Sequence, residues 1–541
     1  MPPHNGPGVF QSRPMAIGYR GAASTPHLLA SQAAIAAMRN GGNAVDAAVT
    51  AAAVATVVQP FSSSVGGVGW ASVYDAASGQ TDVLRFLGAV PMALDPGKFS
   101  PDPAGLVDWR RLESSSSPLL GTLTPSVVPG WAELLARRGT WSLAQALEPA
   151  IALAAEGVPA SELLRTNTAL NVGRLLRWPE SARTYLANGD PLQVGDRLSQ
   201  PDLAATLGRI AANGPAEMVD GRTARAIVEL YEAHGGALRA ADLDQVRPVW
   251  GPPLVTSFRH HVVHAAPAPF GDVAFVSGLQ ILDGFGPFAG PLDPDYVHAS
   301  IESAKLVHAD RQYCLGPDVD AAAIDRLLSP AYTQSQRARI GGRSGPAAVA
   351  GPPHEDTITL ATVDDAGNAA HLMQTVGTFF GTGAVAPGTG VLMNSSLYFA
   401  YANPAVANRV VPGQPIEQNP CLAMVFDPSG RLRLVAGSPG GRARVETVRQ
   451  LILNVLEFGM NVQQAVDAGR FLASLDGASI DFEARYGEVD AGLRQALEDR
   501  GHVVLVKEEA FGSGQAIFID PTTGARMAGA DWRRESVALA Y

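Results

Sequence analysis

The sequence predicts an α+β layered sandwich with sheets inside and helices on both outer faces. Helix-period segments dominate up to about Gly341, alternating β-branched runs dominate after Gly351, and helical patterns return at 445–458 and near 490–500. Hydrophobic residues make up 46% and charged residues 17% of the chain, the balance of a globular protein with a large core. At 541 residues the chain is long for one compact domain, so one large unit or two domains both fit.

Taken in order, residues 28–39 and 43–58 read as two helices broken at Gly41-Gly42, with Asn43 capping the second. The Gly-rich turn Ser64 to Gly69 then leads into a strand from Trp70 to Tyr74. It follows a helix and precedes a strand, the reverse of a nucleotide fingerprint, so its glycines point to close backbone packing. Residues 131–156 and 201–234 read as helical, with Pro149 expected to break the first; 272–284 and 296–309 are further helices. The run Gly341 to Pro353 is almost all Gly, Pro, Ala and Ser and reads as an exposed, mobile linker. No internal repeat is visible.

Composition removes several functions. A net charge of -11 argues against nucleic acid and anionic membranes as partners. Cys314 and Cys421 supply neither a disulfide framework nor a metal cluster. Only Lys98, Lys305 and Lys507 are lysines, and none completes a P-loop or a Ser-x-x-Lys motif; Gly-x-Ser-x-Gly and His-Glu-x-x-His are also missing. The eleven histidines form no ligand-spaced cluster, and His260, His261 and His264 lie in a strand-like run, so neither metal nor cofactor is expected. The amino terminus lacks a basic-then-apolar signal, and Ala44 to Val58 is too short and carries Asp46; a soluble cytoplasmic protein is expected.

One position stands out. Thr357 opens a strand directly behind the linker, where a chain could cut itself and leave a threonine with a free amine. Such a residue holds a nucleophile and a base together: the amine, with a reference pKa of about 7.7–8.0, can take the hydroxyl proton near neutral pH. Alone this is weak, because threonine is also an ordinary strand former.

Ordered motifs give it weight. Thr25-Pro26-His27, Gly41-Gly42-Asn43-Ala44-Val45-Asp46-Ala47-Ala48, Val128-Pro129-Gly130, Gln200-Pro201-Asp202-Leu203 and Asp310-Arg311 come first. Asp356-Thr357, Gly367-Asn368, Phe380-Gly381-Thr382-Gly383 and Gly437-Ser438-Pro439-Gly440-Gly441 follow. Together they resemble the γ-glutamyltranspeptidase family of amino-terminal-nucleophile hydrolases, over nearly the whole chain. The resemblance implies a four-layer αββα sandwich and a precursor that cleaves itself between Asp356 and Thr357. The products would be a large chain of residues 1–356 and a small chain of residues 357–541 that stay together as one intertwined unit. It also implies Thr357 as nucleophile, Thr375 as the residue whose hydroxyl orients it, and the amides of Gly440 and Gly441 as an oxyanion hole. Glycine suits that task because it permits a close approach and unusual backbone angles.

Substrate recognition departs from the family. Where the family has an arginine, counting back from Pro91 gives Leu87; where it has an aspartate, the run Asn394-Ser395-Ser396-Leu397-Tyr398-Phe399 offers Tyr398 or Phe399. Glu417-Gln418 stand over its serine pair, and its Pro-rich Ser-Ser-Gly-Gly segment has become Ala266-Pro267-Ala268-Pro269-Phe270-Gly271-Asp272. Arg85, two residues before Leu87 on the same strand face, and Arg442, after the glycines, are candidates to meet a substrate carboxylate. Glu417 is a candidate for a substrate amine. The expected activity is therefore an amide hydrolase or acyltransferase, with water or an amine as acceptor, acting on a small amide such as an oxamate-like or N-acyl compound. The alternatives are a true γ-glutamyltransferase or glutathione hydrolase, and an uncleaved binding protein.

Overall fold

Two seven-stranded antiparallel sheets lie face to face in the computed structural model, which describes residues 11–115, 117–346, 356–474, 477–484 and 489–541. In spatial order the first sheet contains Ala16–Gly18, Arg526–Ala530, Gln515–Ile519, Leu432–Gly437, Ala423–Phe426, His261–Ala265 and Leu254–Phe258. The second contains Val537–Ala540, Ala22–Thr25, Asp356–Val363, Ala369–Gly377, Val68–Asp75, Gln80–Phe86 and Val249–Gly251. Small and branched side chains fill the layer between them, among them Ala361, Ala369, Met424, Val435 and Ile517. Each inner strand alternates its faces. Thus Thr359 donates to Gln515 of the facing sheet, while Thr362 donates to the Ala44 carbonyl of an outer helix at 2.7 Å.

Helices Leu28–Arg39 and Ala44–Val58 cover the second sheet, and Val273–Leu282, Ala443–Leu456 and Val462–Asp467 cover the first, which completes an αββα sandwich. Every residue of Ala44–Val58 is buried, because Leu143–Glu156 packs on its other side. Its Ala-rich sequence lets both neighbours approach closely. Asp46 is tolerated there because its carboxylate accepts from the amides of Asn43, Thr140 and Trp141 and from the Thr140 hydroxyl. Among the described residues no helix is long and apolar enough to cross a membrane.

Asn43 caps its helix as expected. The break in 131–156 is not at Pro149. The chain forms Val127–Arg138 and Leu143–Glu156, parted at Gly139, whose amide closes the first helix, with a Ser142–Gln145 capping box opening the second. Pro149 sits inside the second helix, where the cap outweighs its missing donor. The 201–234 segment is likewise divided, into Pro201–Asn213 and Arg222–Ala233. Of the linker, residues 341–346 are described: the Gly345 amide donates to Glu302 and the Ser344 amide to the Arg500 carbonyl. The expectation of mobility for 347–353 lies outside the described residues.

Candidate active site

Strand register builds the site. Thr357 lies at an irregularity between Asp356 and Ile358, and its Oγ is 3.2 Å from the Oγ of Thr375 on the next strand. Both side chains are almost completely buried. The Thr375 hydroxyl also accepts from the Gly377 amide at 2.8 Å, which fixes its rotamer. Val68 is the Cα partner of Thr375, and beyond the Gly69–Phe86 pair the same row reaches Leu87. Leu87 is thus three inter-strand spacings from Thr357, about 14 Å. Arg85 belongs to the adjacent row, opposite Trp70 and, through it, Met373 and Thr359.

Gly440 and Gly441 connect the strand Leu432–Gly437 to the helix Ala443–Leu456, at φ angles of 119° and 58° that favour glycine. A Cβ on Gly440 would lie 2.8 Å from the Gly512 Cα. Among the described residues neither glycine amide donates a hydrogen bond, so two adjacent N–H groups stand together at the positive end of a helix. The loop is fixed from behind. Thr359 donates to Gln515, Gln515 donates to Ser536 at 2.9 Å, the Ser536 and Ser513 hydroxyls are 3.1 Å apart, and the Ser513 amide donates to Ser438 at 3.0 Å. This polar chain links the Thr357 strand to the glycine loop.

Three of the four altered segments meet as one wall. The Arg85 guanidinium stacks 4.7 Å from the Phe270 ring centroid, the Phe270 carbonyl accepts from the Gln418 amide at 3.1 Å, and Val90 pairs with Gln414 and Gly413. Arg85, Leu87 and Pro415 line a cavity of about 150 Å³ with Asp242 and Arg247. Among the described residues Arg85 makes no ion pair or hydrogen bond, and burial lowers its pKa. Gln418 is 1% exposed, and among the described residues its side-chain amide has no hydrogen-bond partner.

Other candidates are placed differently. Ser396 lies beside the Thr375 strand, its amide 2.9 Å from a Cβ built on Gly377, and its buried hydroxyl has no partner among the described residues. Tyr398 turns its ring onto Gly121, with its hydroxyl in the field of Glu113 and Arg174; burial raises its pKa. Arg442 donates to the Ala473 carbonyl at 2.8 Å, and desolvation lowers its pKa against the pull of Glu446. Glu417 is 1% exposed and held by Arg311, whose Nε and Nη2 reach its Oε2 at 2.8 and 2.7 Å. The idea that Glu417 waits for a substrate amine is thereby weakened: its charge is already paired. Arg311, Phe270 and Arg174, which donates to Thr378 and to the carbonyls of Phe379 and Gly381, had no assigned part in the sequence reading. The Asp310-Arg311 motif pointed toward the first and the altered segment Ala266 to Asp272 toward the second; nothing in the sequence reading pointed toward Arg174.

The family model for gamma-glutamyltranspeptidase matches residues 30–541. The chain belongs to the γ-glutamyltranspeptidase family. An acylase ACY 1 proenzyme from Pseudomonas sp. (strain V22) is 32% identical over 533 residues, covering 97% of this chain and 94% of that protein. A glutathione hydrolase proenzyme from Escherichia coli (strain K12) is 30% identical over 514 residues, covering 91% and 87%. The crystal structure of cephalosporin acylase from Bacillus halodurans superposes with a TM-score of 0.88 at 28% identity, over 100% of this chain and 99% of that one. As a γ-glutamyltranspeptidase family member, the protein is an enzyme of the amino-terminal-nucleophile hydrolase and acyltransferase class.

Proposed function

We propose that the protein is a self-processing amide hydrolase or acyltransferase whose donor pocket has diverged from γ-glutamyl recognition toward a small amide with a carboxylate on its acyl part. The observation that carries this reading is the convergence of three of the four altered segments around Arg85, a half-buried guanidinium stacked on Phe270. An unpaired cation in such a place favours an anionic group. The γ-glutamyl ammonium would find no comparable host, because Tyr398 carries no charge and Glu417 is held by Arg311.

The chemistry follows from Thr357. In the precursor its hydroxyl attacks the Asp356 carbonyl, the C–N bond breaks as the acyl group moves to Oγ and the Thr357 amine takes the proton, and water then hydrolyses the ester, restoring the hydroxyl and leaving residues 1–356 and 357–541. In the mature enzyme that amine takes the hydroxyl proton as Oγ attacks the substrate carbonyl. The tetrahedral oxyanion is held by the amides of Gly440 and Gly441, the proton passes to the leaving amine, and water or an acceptor amine releases the acyl group.

A denaturing gel and an amide panel test the reading. Two bands, with Thr357 at the start of the smaller, and faster turnover of carboxylate-bearing acyl amides than of glutathione are expected. Glutathione turnover matching the best alternative amide would favour the second reading, a glutathione hydrolase, which the similarity to the Escherichia coli protein keeps open. A single intact band, with Thr357→Ala without effect, would remove both.

A further inference from the structure

Far along the chain from Thr357, the fold assembles side chains that the sequence keeps apart. His298 and Glu302 lie four residues apart on the helix Pro294–Cys314, hence on one face. His502 comes from the turn after the helix Ala491–Glu498 and is separated from His298 by 204 positions. All three are about 95% buried, and their ligand atoms lie within 4.8 Å of one another. No other described group of three or more His, Cys, Asp or Glu residues meets that geometry.

The protonation pattern favours a ligand set. His298 Nε2 donates to the Gly341 carbonyl at 2.8 Å, so its Nδ1 carries the lone pair and faces His502 Nε2 at 2.7 Å. A backbone carbonyl holding the outer nitrogen of a histidine is the usual support of a metal-bound imidazole. Glu302 supplies the carboxylate. Its oxygens are held by Lys305 Nζ and by the Gly345 amide, each at 2.8 Å.

We propose that His298, Glu302 and His502 form a structural site for a divalent transition metal of the zinc, cobalt or nickel type. The donor set, two imidazoles and one carboxylate, suits such ions, and a water completes four-coordination. Metal–nitrogen bonds of about 2.0–2.1 Å in tetrahedral geometry require the rings to part by roughly 0.6 Å, with the His502 proton passing from Nε2 to Nδ1 so that the ring stays a neutral ligand. Lys305 must release Glu302; Ser344 Oγ, already 2.9 Å from Nζ, can keep it. The ion would fasten the helix at 294–314 and the linker root at 341–345 to the 501–502 turn. If the cut proposed above occurs, those parts belong to different chains, and this bridging role rests on that proposal.

The test titrates cobalt(II) and zinc(II) into the full-length protein after chelator treatment. One Co²⁺ per molecule, with the visible d–d bands of a four-coordinate site, and a rise in Tm with Zn²⁺ are expected. His502→Gln should abolish both, and Lys305→Met, which frees Glu302, should tighten binding. Thr357→Ala should bind cobalt as the wild type does, so failure of the cleavage reading leaves this test intact. No stoichiometric uptake by the wild type, or uptake unchanged by His502→Gln, would show that the three residues form only a hydrogen-bonded cluster. The wild-type titration decides even where a variant does not fold.

Discussion

Around Thr357 the geometry is set by backbone and by small side chains: a strand irregularity, a Thr–Thr contact of 3.2 Å, and a two-glycine turn whose Gly440 lies close against Gly512. Around Arg85, on the same sheet, it is set by three separate segments meeting, with the Arg85 guanidinium on the Phe270 ring and main-chain hydrogen bonds joining Gln418 to Phe270 and Val90 to Gln414. The first arrangement allows few substitutions, because each alternative meets a backbone atom or a forbidden φ. The second can be rebuilt by exchanging side chains while the strands stay where they are. A family can therefore keep one reaction and change what it reacts with.

The largest expected effect breaks the comparison at its first half. Thr357→Ala should leave a single uncut chain on a denaturing gel and lower amide turnover by on the order of 10⁴-fold or more; turnover near wild type would place the nucleophile elsewhere. Next comes Arg311→Ala, which leaves the Glu417 carboxylate buried without its main counter-charge. It should cost about 3–5 kcal/mol of stability in urea unfolding, with part regained by adding Glu417→Gln. A change confined to KM would instead return Glu417 to the recognition wall. Gly440→Ala should lower kcat by about 10²–10³-fold with KM little changed, since it disturbs only what the transition state needs; steady-state kinetics would show an equal loss in KM if the glycines bind the ground state. The smallest effect belongs to the wall itself. Arg85→Leu should raise KM for acyl amides bearing a carboxylate by about 10- to 100-fold and leave neutral amides almost unaffected. Equal losses on both would make Arg85 a packing residue.

Much of this arrangement could be read from residue order alone, and what could not has a common cause. A local signal worked at Asn43, which caps its helix; Arg85 and Leu87 line one cavity together with Gly88, Ala89 and Val90. Pro149 misled because a capping box downstream of Gly139 restarted the helix. Glu417 invited a substrate amine because its partner Arg311 lies 106 residues earlier on a helix. The wall was visible only as three departures from a pattern; that Phe270 bridges Arg85 to Gln418 depends on tertiary contacts.

The strand order of the two sheets carries one more consequence. In the second sheet, Val537–Ala540 lies beside Ala22–Thr25, which lies beside Asp356–Val363; in the first, Ala16–Gly18 borders Arg526–Ala530 and Ala423–Phe426 borders His261–Ala265. A chain opened before Thr357 is therefore laced: pieces from either side of the opening alternate across both sheets. With Ala369–Gly377 also paired to Val68–Asp75, parting them would mean unzipping five hydrogen-bonded seams at once, so the halves should melt as one body and refold poorly from separated fragments. Opening that one peptide bond would give the molecule a new chain end without loosening its weave.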